Sequence, residues 1–398
     1  MTKDIYISGL GIISALGNNV DETIASFQNH SSGVGQIKHL ETVHKDKYPL
    51  AEVKYSNEEL ASILNIDKSL SRTILLSYYA AKQSFDSLKL APNSGYKIGF
   101  ISATSIGGMD KTEFFAREYT IDNNTGDLKQ VVNHDNGKST DFVAKALGIK
   151  DFVTTISTAC SSAANAIMLG SRLIKSGKLD IVIAGGVDPL TRFTLNGFNS
   201  LMIVDDVQCR PLDQTRAGLN LGEGAAFVAL MTKETAEAIN AKTYCKVTGY
   251  CNTNDAFHQT ALSDEGNGPF LAMTGALNMS GLKPDMIDYI NMHGTGTQNN
   301  DNSEGTALKR IFHPHYPKLS STKSFTGHTL GASGAIEAVF CALALKNGYI
   351  YPNYNFKNKM EDLDIVPETK FQTNVEVNHV MSNSFGFGGN CTSLIFSK

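Results

Sequence analysis

Short runs of β-branched residues bounded by glycine alternate along this chain with longer stretches of helical periodicity, and that alternation leaves few architectures open. Lys97 to Thr104, Asp180 to Gly186 and Asp288 to Met292 have the near-continuous apolar character of buried strands. Leu70 to Leu88, Ser162 to Ser176 and Ala332 to Lys346 repeat their apolar residues at helical spacing. Met1 to Gly17 reads as a strand and then a turn, since Gly9, Gly11 and Gly17 interrupt it and no small-residue cleavage site follows. The alternation predicts an α/β fold, with helices packed on a mostly parallel sheet. By length alone, 398 residues make two or three average domains or one large α/β unit. No Pro/Ser-rich linker divides them.

An internal echo points to two similar halves. Ser162-Ala163-Ala164, leading to Lys175 and Gly177, matches Ser333-Gly334-Ala335, leading to Lys346 and Gly348, at identical spacing. Each matched helix follows a small, polar loop, Ser157 to Ser161 in one case and Ser320 to Gly334 in the other.

Composition excludes several classes. Apolar residues make up 41% and charged residues 19%, which suits a packed globular core. A net charge of −4 without any long basic run argues against nucleic acid as partner. Apolar runs such as Ile181-Val182-Ile183-Ala184 fall short of the roughly 18 residues a membrane span needs, so a cytoplasmic protein is expected. The six cysteines show no C-x-x-C pair, and neither a metal site nor a disulfide framework is expected.

Four loops hold residues that could do chemistry. Cys160 lies where the strand-like Phe152 to Ile156 ends and a helical pattern opens. A thiol at a helix N-terminus is expected to have a lowered pKa and to serve as a nucleophile. His293-Gly294-Thr295-Gly296-Thr297 follows a strand-like Tyr289-Ile290-Asn291, and Lys323 precedes His328 by five residues. Imidazoles so placed can donate to a developing oxyanion or enolate, and Lys323 can bias the protonation of His328. Near the C-terminus, Phe387 sits among Gly386, Gly388 and Gly389, where the backbone can approach a ligand closely and a ring can wall off an apolar pocket. Gly222-Glu223-Gly224 is ambiguous by spacing alone, and no nucleotide-binding glycine signature is present.

These motifs together resemble the β-ketoacyl-[acyl-carrier-protein] synthases, especially the type II elongating enzymes, over essentially the whole chain. The resemblance rests on Thr158 to Ser162, Ala184 to Gly186, Arg210 to Asp213, Leu221 to Gly224, Asn254 to His258, His293 to Thr297, Lys323 to Gly334, Glu337 and Ser382 to Gly389. It implies a thiolase-like fold in five αβαβα layers with two duplicated halves, residues 1–240 carrying the cysteine and 241–398 carrying the histidines and the glycine loop. It also implies that Cys160 accepts an acyl group from an acyl carrier protein. His293 and His328 would then act on a malonyl thioester, while Lys323 and Glu337 hold the charge network. The N–H groups of Cys160 and Phe387 would form the oxyanion hole, Phe387 would gate the acyl pocket that Ile106 lines, and Thr295 and Thr297 would contact the phosphopantetheine arm. No cofactor beyond that arm is implied, and no metal.

Two departures stand out. Leu219-Asn220 replaces the usual Phe-Val, and Asn390-Cys391-Thr392 replaces the usual Thr-Asn-Gly. Both resemble ketosynthases of aryl-polyene or flexirubin-type clusters more than those of housekeeping fatty-acid synthesis. The partner implied is a second copy of the chain or a cysteine-lacking chain-length-factor homologue. A thiolase would pair one histidine motif with a second cysteine in a Cys-x-Gly turn, whereas Cys391 precedes Thr392-Ser393 and is expected only to pack near the site. A non-catalytic chain-length factor would lack Cys160. Lys68 and Arg72 are the expected basic patch for carrier-protein docking.

Overall fold

The computed structural model describes residues 3–91 and 94–398, so Met1 and Thr2 of the expected first strand lie outside the described residues. One sheet of ten strands runs in the order Lys318–Ser320, Tyr289–Asn291, His379–Gly386, Asn390–Ser397, Cys245–Asn254, Ile5–Ser14, Gly224–Thr232, Ile181–Asp188, Ile98–Ala103, Phe152–Ile156. Its two halves repeat one pattern. In the first, Phe152–Ile156, Ile98–Ala103 and Ile181–Asp188 are parallel, and Gly224–Thr232 and Ile5–Ser14 continue antiparallel. In the second, Lys318–Ser320, Tyr289–Asn291 and His379–Gly386 are parallel, and Asn390–Ser397 and Cys245–Asn254 continue antiparallel. The halves join through Tyr6 opposite Lys246 and Ile7 opposite Cys245.

The echoing helices, Ser162–Lys175 and Ser333–Asn347, pack against each other between the two halves of the sheet. Small residues make that approach possible, since a Cβ on Gly334 would stand 2.8 Å from the Ala164 nitrogen. Arg72–Asp86 with Asn136–Ala146 covers the outer face of the first half, and Asn267–Ser280 with Gln298–Phe312 covers that of the second. The result is five layers, αβαβα, with the echo at its centre.

The first strand begins only at Ile5, and the other expected elements appear within two residues at each end: Arg72–Asp86 lies inside Leu70 to Leu88, and Ser333–Asn347 is shifted by one from Ala332 to Lys346. Two expectations need correction. The sheet is mixed rather than mostly parallel: five of its nine strand pairings are antiparallel, because each half ends in two antiparallel strands through which the halves join. The other concerns apolar length. Leu330–Asn347 is a helical stretch of 18 residues, apolar enough by composition to cross a membrane, but 89% of it is buried inside the protein. A helix apolar on every side belongs in a core when both flanks are covered by sheet, as here.

Candidate active site

The loop that carries Cys160 is short and strained. After Phe152–Ile156 the chain turns through Ala159 at φ +51° and enters Ser162–Lys175, with Cys160 at the turn. The Ser162 hydroxyl ties the turn, accepting from the Thr158 N–H at 2.7 Å and donating to the Ala159 carbonyl at 2.6 Å. Cys160 is 7% exposed. Its pKa runs against the sequence expectation, because burial pushes the thiol up to about 12, opposed by the Lys323 charge and the Phe387 N–H. Desolvation of a thiolate here outweighs the helix N-terminus, so the resting group is the neutral thiol.

The two histidines come from the other half. One donor atom each of Cys160, His293 and His328 lie within 4.8 Å of one another, all buried, and the two imidazoles meet edge to face at 5.3 Å. Burial, with the Lys323 charge, holds both imidazoles well below the ordinary histidine pKa, so both are neutral at pH 7. His328 Nδ1 accepts from the Leu330 N–H at 3.1 Å, which leaves the proton of the neutral ring on Nε2. Glu304 holds the His293 loop, accepting from the N–H groups of His293 and Gly294 at 3.0 and 2.8 Å. Buried Lys323 and Glu337 form an ion pair behind the histidines. Burial outweighs that pairing at Glu337 and raises its carboxyl to about 7.

Two cavities meet at the thiol. One, of about 240 Å³, is lined by Cys160, His293, His328, Thr295, Thr297 and Leu219, with the Thr295 and Thr297 hydroxyls 2.9 Å apart. The other, of about 380 Å³ and mainly apolar, is lined by Cys160, Ile106, Phe193, Phe198, Leu201 and Leu330. Phe387 and Phe198 border both, stacked at 5.7 Å and 14°. The glycine loop brings Phe387 there: Gly388 and Gly389 have φ of +80° and +76°, and a Cβ on Gly386 would meet the Cys160 nitrogen at 3.0 Å.

The structure thus gathers Cys160, His293, His328, Thr295, Thr297, Ile106 and Phe387 around the thiol, with Lys323 and Glu337 one layer back. Cys391 is fully buried among Leu262, Ala272 and Phe385. Arg72 does not belong to a docking patch. It is buried, donates to Glu223 through Nε at 2.8 Å and Nη2 at 2.6 Å, and holds the Val53 and Tyr55 carbonyls. Glu223, from the ambiguous Gly-Glu-Gly turn, is therefore a core ion-pair partner, while Lys68 is exposed. Phe198, Glu304 and Leu330 were missed by sequence reasoning. Phe198 gave one local signal, an aromatic beside Gly197 on a short helix, whereas Glu304 ends the polar run Gln298 to Glu304 and gave none.

A thiolase-like fold that buries one thiol and two neutral imidazoles between two cavities defines a class of acyl-transferring proteins. Residues 2–236 match the beta-ketoacyl synthase N-terminal domain, and residues 244–357 match the C-terminal domain. The chain is 33% identical over 414 residues to 3-oxoacyl-[acyl-carrier-protein] synthase 2 of Staphylococcus aureus (strain COL), covering 100% of this chain and 98% of that one. A solved structure described as the ishigamide ketosynthase/chain length factor is 27% identical with a TM-score of 0.93, covering 100% of both chains. A ketosynthase in complex with its chain length factor from Xenorhabdus doucetiae is 32% identical with a TM-score of 0.84, covering 99% of this chain and 98% of that one. The chain belongs to the beta-ketoacyl synthase family.

Proposed function

We propose that this protein is a 3-oxoacyl-[acyl-carrier-protein] synthase in which Cys160 is acylated and His293 and His328 serve the carbon–carbon bond-forming step. The convergence of one thiol and two neutral imidazoles within 4.8 Å carries the reading. In loading, the Cys160 sulfur attacks the carrier-bound thioester and displaces the carrier thiol, which leaves with the proton. The Cys160 and Phe387 N–H groups receive the oxyanion, and the acyl chain lies in the cavity beside Ile106 and Phe198. A malonyl thioester then reaches the other cavity along Thr295 and Thr297. Its C–CO₂ bond breaks, and the electron pair is held as an enolate by donors from His293 and His328. The enolate forms the new C–C bond as the C–S bond to Cys160 breaks, and the departing sulfur takes up a proton. The electrons come from the substrate, so the reaction calls for no cofactor beyond the phosphopantetheine arm.

The chain divides near residue 240 in this reading, with the thiol on one side and the histidines and gate on the other. It works in the cytoplasm as a dimer. Phe193 and Leu201 at the acyl cavity, Met202 at the other cavity, and Ile121 support that assembly, for they are exposed apolar side chains that a second subunit would cover. Leu219 in place of phenylalanine, together with the similarity to a ketosynthase that pairs with a chain length factor, favours elongation of a conjugated chain beside such a partner. The alternative assignment is fatty-acid elongation by a homodimer, and the similarity to the Staphylococcus 3-oxoacyl-[acyl-carrier-protein] synthase 2 supports the condensation common to both. Purifying the protein from its own cells and weighing the acyl group trapped on Cys160 separates the two. A conjugated aryl acyl mass with a co-purifying homologue supports the first, and a saturated chain on a homodimer overturns it.

A further inference from the structure

We propose that Asp188 is a positioning residue that holds His328 in its donor form and ties it to the wall of the acyl cavity. The inference rests on the ketosynthase reading above. Asp188 ends the strand Ile181–Asp188, is fully buried, and has no part in the chemistry just described. Its Oδ1 accepts from the Thr104 hydroxyl at 2.6 Å and from the Ser105 and Ile106 N–H groups at 2.9 and 3.2 Å. Its Oδ2 accepts from the Gly331 N–H at 2.7 Å. One carboxylate therefore fastens two loops from opposite halves. The first brings Ile106 to the acyl cavity, and the second carries His328.

Leu330 stands between the carboxylate and the imidazole. Its φ of +50° is unfavourable for a side chain with a Cβ, and such a conformation persists only where the surroundings over-determine it. The neighbouring peptide supplies that constraint through the bond from Gly331 to Asp188. Held this way, Leu330 does two things at once. Its side chain lines the acyl cavity, and its N–H donates to His328 Nδ1 at 3.1 Å, beside the Ser333 hydroxyl at 3.2 Å, whose rotatable O–H fits either tautomer and so leaves the choice to the Leu330 N–H. An occupied Nδ1 keeps the ring proton on Nε2, the nitrogen free to donate to the enolate. Releasing Gly331 would relax the turn, withdraw the Leu330 N–H and let the ring exchange tautomers. Burial raises Asp188 to about 6, so at neutral pH it is the anion that these donors require.

The test compares Asp188→Asn and Thr104→Val with the parent enzyme. Asparagine keeps the size but turns an amide N–H toward an existing donor, and valine removes only the Thr104 hydroxyl. For Asp188→Asn, malonyl decarboxylation by the acylated enzyme should fall roughly 10- to 100-fold per folded molecule, while acyl loading changes less than about threefold. The ¹⁵N shifts of labelled His328 should move from the Nε2–H tautomer toward a mixture. Thr104→Val should shift both readouts in the same direction by less, and it decides the matter if Asp188→Asn does not fold. Parent-like decarboxylation with an unchanged tautomer, or equal loss of loading and decarboxylation, would overturn the positioning role. Failure of the parent enzyme to acylate Cys160 would instead overturn the ketosynthase reading itself.

Discussion

Two loops occupy equivalent places in the two halves and do opposite work. Residues 157–161 link the strand Phe152–Ile156 to the central helix Ser162–Lys175, and residues 321–332 link Lys318–Ser320 to its counterpart Ser333–Asn347. The first has room only for a strained turn that presents one thiol. The second is longer, forms the short helix Lys323–Thr326, buries an ion pair with Glu337 and ends in the turn that orders His328. The duplicated fold decides that the loops face each other. In the proposed reaction, length and content then decide that one side accepts an acyl group and the other stabilises a carbanion.

Emptying the short loop should have the largest effect. Cys160→Ala is expected to lower condensation by about 10³-fold or more and to abolish the acyl adduct, as read by intact mass. Retained condensation would mean that the short loop is not the acyl acceptor. On the other side, His293→Ala and His328→Ala should lower malonyl decarboxylation by about 10²- to 10³-fold while loading of Cys160 stays within about threefold. Equal loss of both half-reactions would erase the division of labour between the loops.

The long loop also sets the pH response. Both imidazoles have folded pKa values lowered by burial and then by Lys323, so stability linked to them is complete above pH 6.5 and falls as pH drops toward the folded values. The acid limb of kcat should therefore lie well below pH 6.5. Lys323→Met removes the neighbouring positive charge and should move that limb to higher pH, and an unmoved limb would show that burial alone sets it. Phe387→Ala should redistribute the acyl chain lengths accepted by about tenfold with little change in the KM for the carrier protein. An unchanged chain-length profile would remove Phe387 from the gate. The smallest effect is expected at the surface, where Lys68→Glu should raise the KM for an acidic carrier protein about two- to fivefold and leave a small pantetheine thioester unaffected. Equal weakening of both substrates would rule out Lys68 as a docking contact.

Much of this was legible before folding was considered. The strand-loop-helix grammar around Cys160 and the matched spacing of Ser162 and Ser333 were visible as local periodicity, which is why the two central helices were expected within a residue of their bounds. Residues whose importance comes from burial were not. Arg72 looks like a surface cation in a helical stretch, yet it is sealed against Glu223, which is 151 positions away. Glu304 looks like one more polar residue on an exposed helix, yet it holds the His293 turn.

The sequence by itself determined the alternation of elements, the duplication and the kinds of side chain available for chemistry, because propensity and periodicity act over a few neighbouring residues. Only the tertiary structure decided the protonation states. Cys160, His293, His328 and Glu337 depart from their ordinary pKa values chiefly because packing removes water from around them. Desolvation depends on what covers a group from every direction, and those neighbours come from both halves of the chain.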